Sequence, residues 1–199
     1  MLRAKRKLAA ASKQDNAADA RGLARLLRML HDMPMPTIAL VQGPAYGGGV
    51  GLISACDVSV SVKTAVFALS EVKLGLIPAT ISPYVIARMG AHFSKRYFMT
   101  AEAMDASRAF HVGLVDELVD TEAELGHWET KFKAALSRNA PLAVNGAKAL
   151  VGHVAHKSID EALMRETAQL LADRRASPEG VEGVSAFLEK RAPAWLTKQ

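Results

Sequence analysis

Glu71 is the carboxylate whose neighbours best suit it to moving a proton. It follows the apolar run Val66-Phe67-Ala68-Leu69 and precedes Gly75 and Pro78, so its side chain leaves the end of a strand, where it can be aimed into a cleft. A carboxylate held in that way can act as a general acid–base. Upstream, Gly47, Gly48 and Gly49 stand between the β-branched run Thr37-Ile38-Ala39-Leu40-Val41 and a short helical stretch. Three glycines there let bare backbone N–H groups approach a ligand beside a helix N-terminus, which suits a negatively charged oxygen. On spacing alone, a solvated carboxylate and a tight turn without a ligand also fit these residues.

Other glycine and nucleophile motifs fail letter by letter. A phosphate loop begun at Gly43 has Gly48 in place but Gly49 where the lysine belongs. A dinucleotide fingerprint begun at Gly49 runs through Gly51 and meets Ser54 in place of the third glycine. There is no G-x-S-x-G elbow, and Ser54 and Ser70 lack a matching His and Asp arrangement. The six histidines form no helical pair of the His-x-x-x-His kind, and His153 and His156 have no third ligand nearby, so no metal site is expected.

The elements that must position these groups follow from periodicity. Leu23, Leu26, Leu27 and Leu30 recur at helical spacing from about Asn16, and Met33-Pro34-Met35-Pro36 ends that helix. Asp57 to Val62 alternates like a half-buried strand, and Val66 to Leu69 is another short strand. A helix is expected over Pro83–Met89, ended by Gly90, and another from Thr100 through Met104. From about Thr121 the chain reads as all helical, with a Ser158-x-x-Glu161 capping box and a last helix opened by Ser177-Pro178-Glu179. The expected organisation is an α/β region over residues 1–120 carrying the cleft, and a helical region over 121–199.

Half of the 199 residues are apolar, enough for one sizeable core. A single cysteine, Cys56, and no secretory-type segment argue for a reducing, cytoplasmic setting without disulfides. No apolar run approaches the ~18 residues that a membrane span needs. The net charge of +5 matches Arg3, Lys5, Arg6, Lys7 and Lys13, five cations in an acid-free N-terminus. That segment reads as a solvated helix face, a presequence or an RNA-contacting arm, and the balanced remainder makes nucleic acid an unlikely partner.

Three stretches carry a specific resemblance: Val41-Gln42-Gly43-Pro44-Ala45-Tyr46-Gly47-Gly48-Gly49, Ala55-Cys56-Asp57, and Phe67-Ala68-Leu69-Ser70-Glu71-Val72-Lys73-Leu74-Gly75-Leu76-Ile77-Pro78. The ending Glu179-Gly180 through Ala186-Phe187-Leu188-Glu189-Lys190-Arg191 adds a fourth. From about Pro36 onward the chain resembles the crotonase (enoyl-CoA hydratase/isomerase) superfamily, and Ser70 through Val85 look most like its methylglutaconyl-CoA and isohexenylglutaconyl-CoA hydratase branch. The resemblance implies a spiral of ββα units related to the Clp peptidases, with a helical C-terminal region that assembles a homotrimer or a dimer of trimers. It implies an acyl-CoA substrate, with no cofactor beyond the coenzyme A that the substrate carries. By the same resemblance Gly48 N–H polarises the thioester carbonyl and Glu71 transfers the proton. Gly47, Gly49, Gly51, Ala79, Phe187 and Lys190 are then the substrate and CoA contacts, the last two often reaching a neighbouring subunit's ligand.

Two departures from the family pattern stand out. A second catalytic carboxylate would fall on Gly51, so either Glu71 does both jobs or a group near Ser82 or Tyr84 helps to place the water. The strand-rich segment and alanine-glycine-acid loop that carry the family's other oxyanion donor are expected before Met1, which implies a truncated chain of weak activity. The reading is therefore an enoyl-CoA hydratase-type lyase. A binding or oligomerisation protein built on the same fold, an enoyl-CoA isomerase and a Clp-like peptidase are the alternatives, the last disfavoured for want of a suitably placed serine.

Overall fold

The computed structural model describes residues 11–196. The cationic residues Arg3, Lys5, Arg6 and Lys7 of the expected N-terminal arm lie outside the described residues. The chain forms two compact units, one holding residues up to Met33 with Thr37–Leu125, the other Pro34–Pro36 with Gly126 onward.

In the first unit, helix α1 (Lys13–His31) is opened by Ser12, whose hydroxyl accepts from Asp15 N–H. Its leucine stripe is anchored by Leu27, fully buried, whereas Leu26 is half exposed. Strands β1 (Ile38–Val41), β3 (Val58–Val62) and β6 (Glu117–Val119) make a parallel sheet in the order β1-β3-β6, with Val41 opposite Ser61 and Val60 opposite Glu117. A second sheet pairs β2 (Ala45–Tyr46) parallel to β4 (Val66–Ala68), which pairs antiparallel to β5 (Met104–Asp105). Helix α2 (Gly48–Ala55) and helix α3 (Ser82–Thr100) pack together, α1 also packs on α2, and α4 (Ala106–His111) packs on β5. Leu27, Val50, Val60, Phe67, Leu69, Ile81, Val85 and Leu114 form the core of this unit.

Several expectations change. Strand β3 is central rather than half buried: Ser59 and Ser61 are as inaccessible as Val60. A central strand of a parallel sheet has elements packed over both of its faces, and its serines find internal partners. The Ser59 hydroxyl donates to Leu114 C=O at 3.2 Å, and that of Ser61 to Val62 C=O at 3.0 Å. Gly90 (φ 71, ψ 162) breaks the helical backbone where the sequence placed a helix end, and a second helical stretch follows at once, so α3 runs on to Thr100 across a kink. No helix starts at Thr100: Ala101 turns left-handed (φ 49), Met104 pairs with Phe67, and Asp105 caps α4 by accepting from Arg108 N–H. Strand pairing there outweighs a local helical preference.

Helix α5 (Glu122–Ser137) enters the second unit at Gly126, and α6 (Pro141–Val154), α7 (Glu161–Ala176) and α8 (Pro178–Leu188) follow within it. The cap of α7 is Asp160, which accepts from Leu163 N–H at 2.9 Å, so the Ser158 capping box does not form. Ser177 does open α8, accepting from Gly180 N–H at 3.1 Å. Helix α6 has no cap of its own, and Glu179 supplies one from α8 by accepting N–H of Leu142 (3.0 Å) and Ala143 (2.8 Å). A capping bond of this kind contributes ~1 kcal/mol. After α8, Arg191 makes a two-bond contact with the Glu182 carboxylate (2.7 and 2.9 Å). Among the described residues no helix is long and apolar enough to cross a membrane.

Candidate active site

Two parallel strands deliver the site. Tyr46 at the end of β2 lies opposite Ala68 at the end of β4, and the register is extended by Gly47 N–H donating to Ala68 C=O at 2.9 Å. Beyond that point β2 turns into α2 through Gly47, while β4 runs on through Leu69 and Ser70 to Glu71. The glycine turn and the carboxylate therefore leave the same edge of one small sheet. Ligand sites of parallel sheets favour that edge, where strands end and helices begin.

Gly47 has φ 50 and ψ −113, a conformation that a side chain makes costly. Its carbonyl accepts Gly51 N–H at 3.1 Å, starting α2. The turn is also stripped for space: a Cβ on Gly47 would stand 2.8 Å from Glu71 Oε1 and 3.4 Å from its Cδ. Glu71 opens a single 3₁₀ turn, Glu71–Leu74, closed by Gly75 in the left-handed region (φ 70), and its own carbonyl accepts Leu76 N–H at 3.1 Å. Among the described residues, Glu71 Oε2 is buried and has no hydrogen-bond partner. Such an atom is costly to bury, and a reacting group that bonds to it would remove the cost.

Gly48 and Gly49 begin α2, whose cap residue Gly47 has no side chain to offer its N–H groups. Gly48 N–H makes no hydrogen bond among the described residues, and nothing stands within 4 Å of where its Cβ would be. The first turn carries no acid, so its partial positive charge is unopposed. An open N–H at a helix N-terminus and an unpartnered carboxylate beside the same turn can hold a developing oxyanion and shuttle a proton, respectively.

The other residues of the sequence reading fall as follows. A Cβ on Gly49 would stand 3.8 Å from Ala45 Cβ, an ordinary contact. Gly51, expected among the substrate contacts, is buried, and a Cβ there would meet Ile81 Cγ2 at 2.2 Å. Its role is close helix packing, which leaves no room for a second carboxylate. The Ser82 hydroxyl donates to Ala79 C=O at 2.8 Å, and the Tyr84 ring packs edge-on to His31. Ala79 is exposed just beyond the turn. In the second unit Phe187 is 82 % exposed, and Lys190 adopts φ 54 directly after α8. His153 pairs with Glu166 at 3.0 Å.

Three features escaped the sequence reading. The two-residue strand β2 is too short to show a period, although it alone aligns Gly47 with Glu71. Asp57 gave a signal through Ala55-Cys56-Asp57; its carboxylate accepts the N–H (2.7 Å) and hydroxyl (2.9 Å) of Thr37, joining the start of β3 to that of β1. Arg88, in the middle of α3, gave none.

Residues 5–198 match the enoyl-CoA hydratase/isomerase family. The chain belongs to that family. It is 33% identical over 175 residues to the crotonyl-CoA hydratase of Syntrophomonas wolfei, covering 87% of this chain and 66% of that protein. It is 32% identical over 159 residues to the mitochondrial Delta(3,5)-Delta(2,4)-dienoyl-CoA isomerase of Dictyostelium discoideum, covering 79% of this chain and 54% of that protein. An enoyl-CoA hydratase structure from Shewanella pealeana superposes with a TM-score of 0.93 at 42% identity, covering 98% of this chain and 72% of the other. The crotonase fold and an enzyme of the enoyl-CoA hydratase/isomerase family are thereby established, and the chain spans only part of the length of each of these relatives.

Proposed function

We propose that this protein adds water across the 2,3-double bond of an enoyl-CoA thioester, with Glu71 as the only carboxylate in the chemistry. The observation that carries the reading is the buried, unpartnered Glu71 Oε2 beside the turn that leaves Gly48 N–H open. In the proposed reaction Glu71 takes a proton from water as its oxygen bonds to C3. The charge moves through C2 onto the thioester oxygen, where Gly48 N–H and the end of α2 hold it. Glu71 then returns the proton to C2, so that H and OH have been added and the carboxylate is regenerated.

A single carboxylate serving both steps agrees with the lack of space at Gly51. The resemblance of Ser70 through Val85 supports a branched glutaconyl-type acyl group. The exposed Phe187 and the Lys190 that follows α8 are the candidates for CoA contact, and the apolar face of α8 for the contact between subunits of a trimer. A reducing, cytoplasmic location and the absence of any further cofactor complete the proposal.

One observation favours a second reading, double-bond isomerisation. Moving a proton between C2 and C4 needs one carboxylate and no water, which a cleft with Glu71 alone also supplies. Incubating the purified protein with a 2-enoyl-CoA and, separately, with a 3-enoyl-CoA decides between them. Hydration consumes the conjugated thioester absorbance of the first and yields a 3-hydroxyacyl product, whereas isomerisation creates that absorbance from the second. Neither change would sink both readings.

A further inference from the structure

Helix α2 has a polar device at each end. At its N-terminus stands the open Gly48 N–H; at its C-terminus stands Arg88 of α3. The Arg88 side chain is only 12% exposed. Its guanidinium donates Nη2 to Cys56 C=O at 2.5 Å and, at the longer distance of 3.4 Å, Nε to Ser54 C=O. Nη1 reaches Asp116 Oδ2 at 2.8 Å and the Ser59 hydroxyl at 3.2 Å. Asp116 Oδ2 is itself tied to β3, accepting Ser59 N–H at 2.7 Å.

The carbonyls that end a helix lack intrahelical partners and carry its negative charge, so a fork of cationic donors both satisfies and neutralises them. Helix α2 is eight residues long; α1 packs on it, Val50 anchors it in the core, and Gly51 lies close against Ile81 at the start of α3. Arg88 therefore clamps the far end of a short rod to β3, and the near end of that rod aims Gly48 N–H.

We propose that Arg88 is a positioning residue for the oxyanion donor. It acts through α2 without touching the substrate, and the inference rests on the proposed role of Gly48. Asp116 makes a useful contrast, since Asp116→Asn weakens the tie to β3 but leaves Arg88 its bonds to α2.

The test uses the 199-residue protein and a bound 2-enoyl-CoA, whose conjugated thioester absorbs at longer wavelength when its carbonyl is polarised. In Arg88→Met and Arg88→Lys, the red shift on binding should fall by at least half. The turnover number should drop ~10- to 10²-fold, the size expected for a small misplacement of a catalytic group. Affinity for free coenzyme A, which has no carbonyl to polarise, should stay within about twofold of wild type, a loss far smaller than that in turnover. Asp116→Asn should keep the shift even if its thermal stability falls equally. An unchanged shift in either folded Arg88 variant overturns the inference. So does a loss of shift that follows thermal stability alone across all three variants. A wild-type protein that binds enoyl-CoA without any red shift overturns the role of Gly48 first, and this inference with it.

Discussion

The carboxylate of Glu71 fills the space that a side chain on Gly47 would need. Oε1 lies 2.8 Å from the Cβ position of a residue whose φ is 50 and ψ is −113. One glycine thus does two things: it makes the turn into α2, and it seats the carboxylate. Gly47→Ala should cost ~1–3 kcal/mol in backbone strain alone. It should also displace Glu71 and lower kcat by ~10²-fold, as misplaced groups do. Steady-state kinetics on an enoyl-CoA check this, and near-wild-type turnover would show that Glu71 does not need that seat.

Gly51 separates this site from one with two carboxylates. A Cβ there would overlap Ile81 Cγ2 at 2.2 Å, and Leu27 Cδ2 stands at 3.7 Å. Overpacking at such a site costs ~1–3 kcal/mol, so Gly51→Ala should lower thermal stability and Gly51→Glu should lower it further. Adding Ile81→Ala to Gly51→Ala should recover part of the loss, because the two residues share one space. Thermal melts of the three variants decide it. A Gly51→Glu protein that is as stable as wild type and hydrates faster would contradict the packing.

Much of this was legible in the sequence, for identifiable reasons. The β-branched run at Thr37 and the glycine triplet carry strong local chemistry and formed the strand, turn and short helix expected, whereas Glu71, expected directly at a strand end, opens a 3₁₀ turn two residues beyond Leu69. The errors came where partners distant in sequence decide. Ser59 and Ser61 looked solvent-facing because their polar letters alternate with valines, yet β3 is the central strand of its sheet and both of its faces are buried. Met104 looked helical until its pairing with Phe67 is considered. Arg88 reads like any surface arginine, since its acceptors Ser54, Cys56 and Asp116 approach it only in the folded chain.

In the second unit, bonds from Arg191 and then Ala194 N–H hold the Glu182 carboxyl down to about 2, from an ordinary value of 4.5. A carboxyl depressed in the folded state stabilises it fully above the unfolded value, and the contribution fades as pH falls from about 4.5 toward about 2. Trp195, whose ring lies 3.0 Å from the Cβ position of Gly183, reports on the same segment. In a Trp128→Phe background, Trp195 fluorescence should change across that acid window, and Glu182→Gln should remove the change. A transition that persists in Glu182→Gln would assign it to another group.

Along α8, Val181, Val184, Phe187 and Leu188 are 53%, 57%, 82% and 73% exposed. Leaving four large apolar side chains of one short helix in water suits a contact between subunits. The double variant Val184→Asp/Phe187→Asp should convert the proposed trimer to monomer with unchanged far-ultraviolet circular dichroism. Light scattering measures it. An intact oligomer would place the interface elsewhere.

The most direct test of the proposed chemistry is kcat for Glu71→Gln on an enoyl-CoA, measured beside acyl-CoA affinity. Glutamine keeps the shape of the side chain and the packing against Gly47 but cannot take up or return a proton. The account predicts kcat lower by the ~10²–10⁴ typical of losing a general acid–base, with acyl-CoA affinity close to wild type. A Glu71→Gln protein that retained wild-type kcat would contradict it, and the proton would have to travel through another residue.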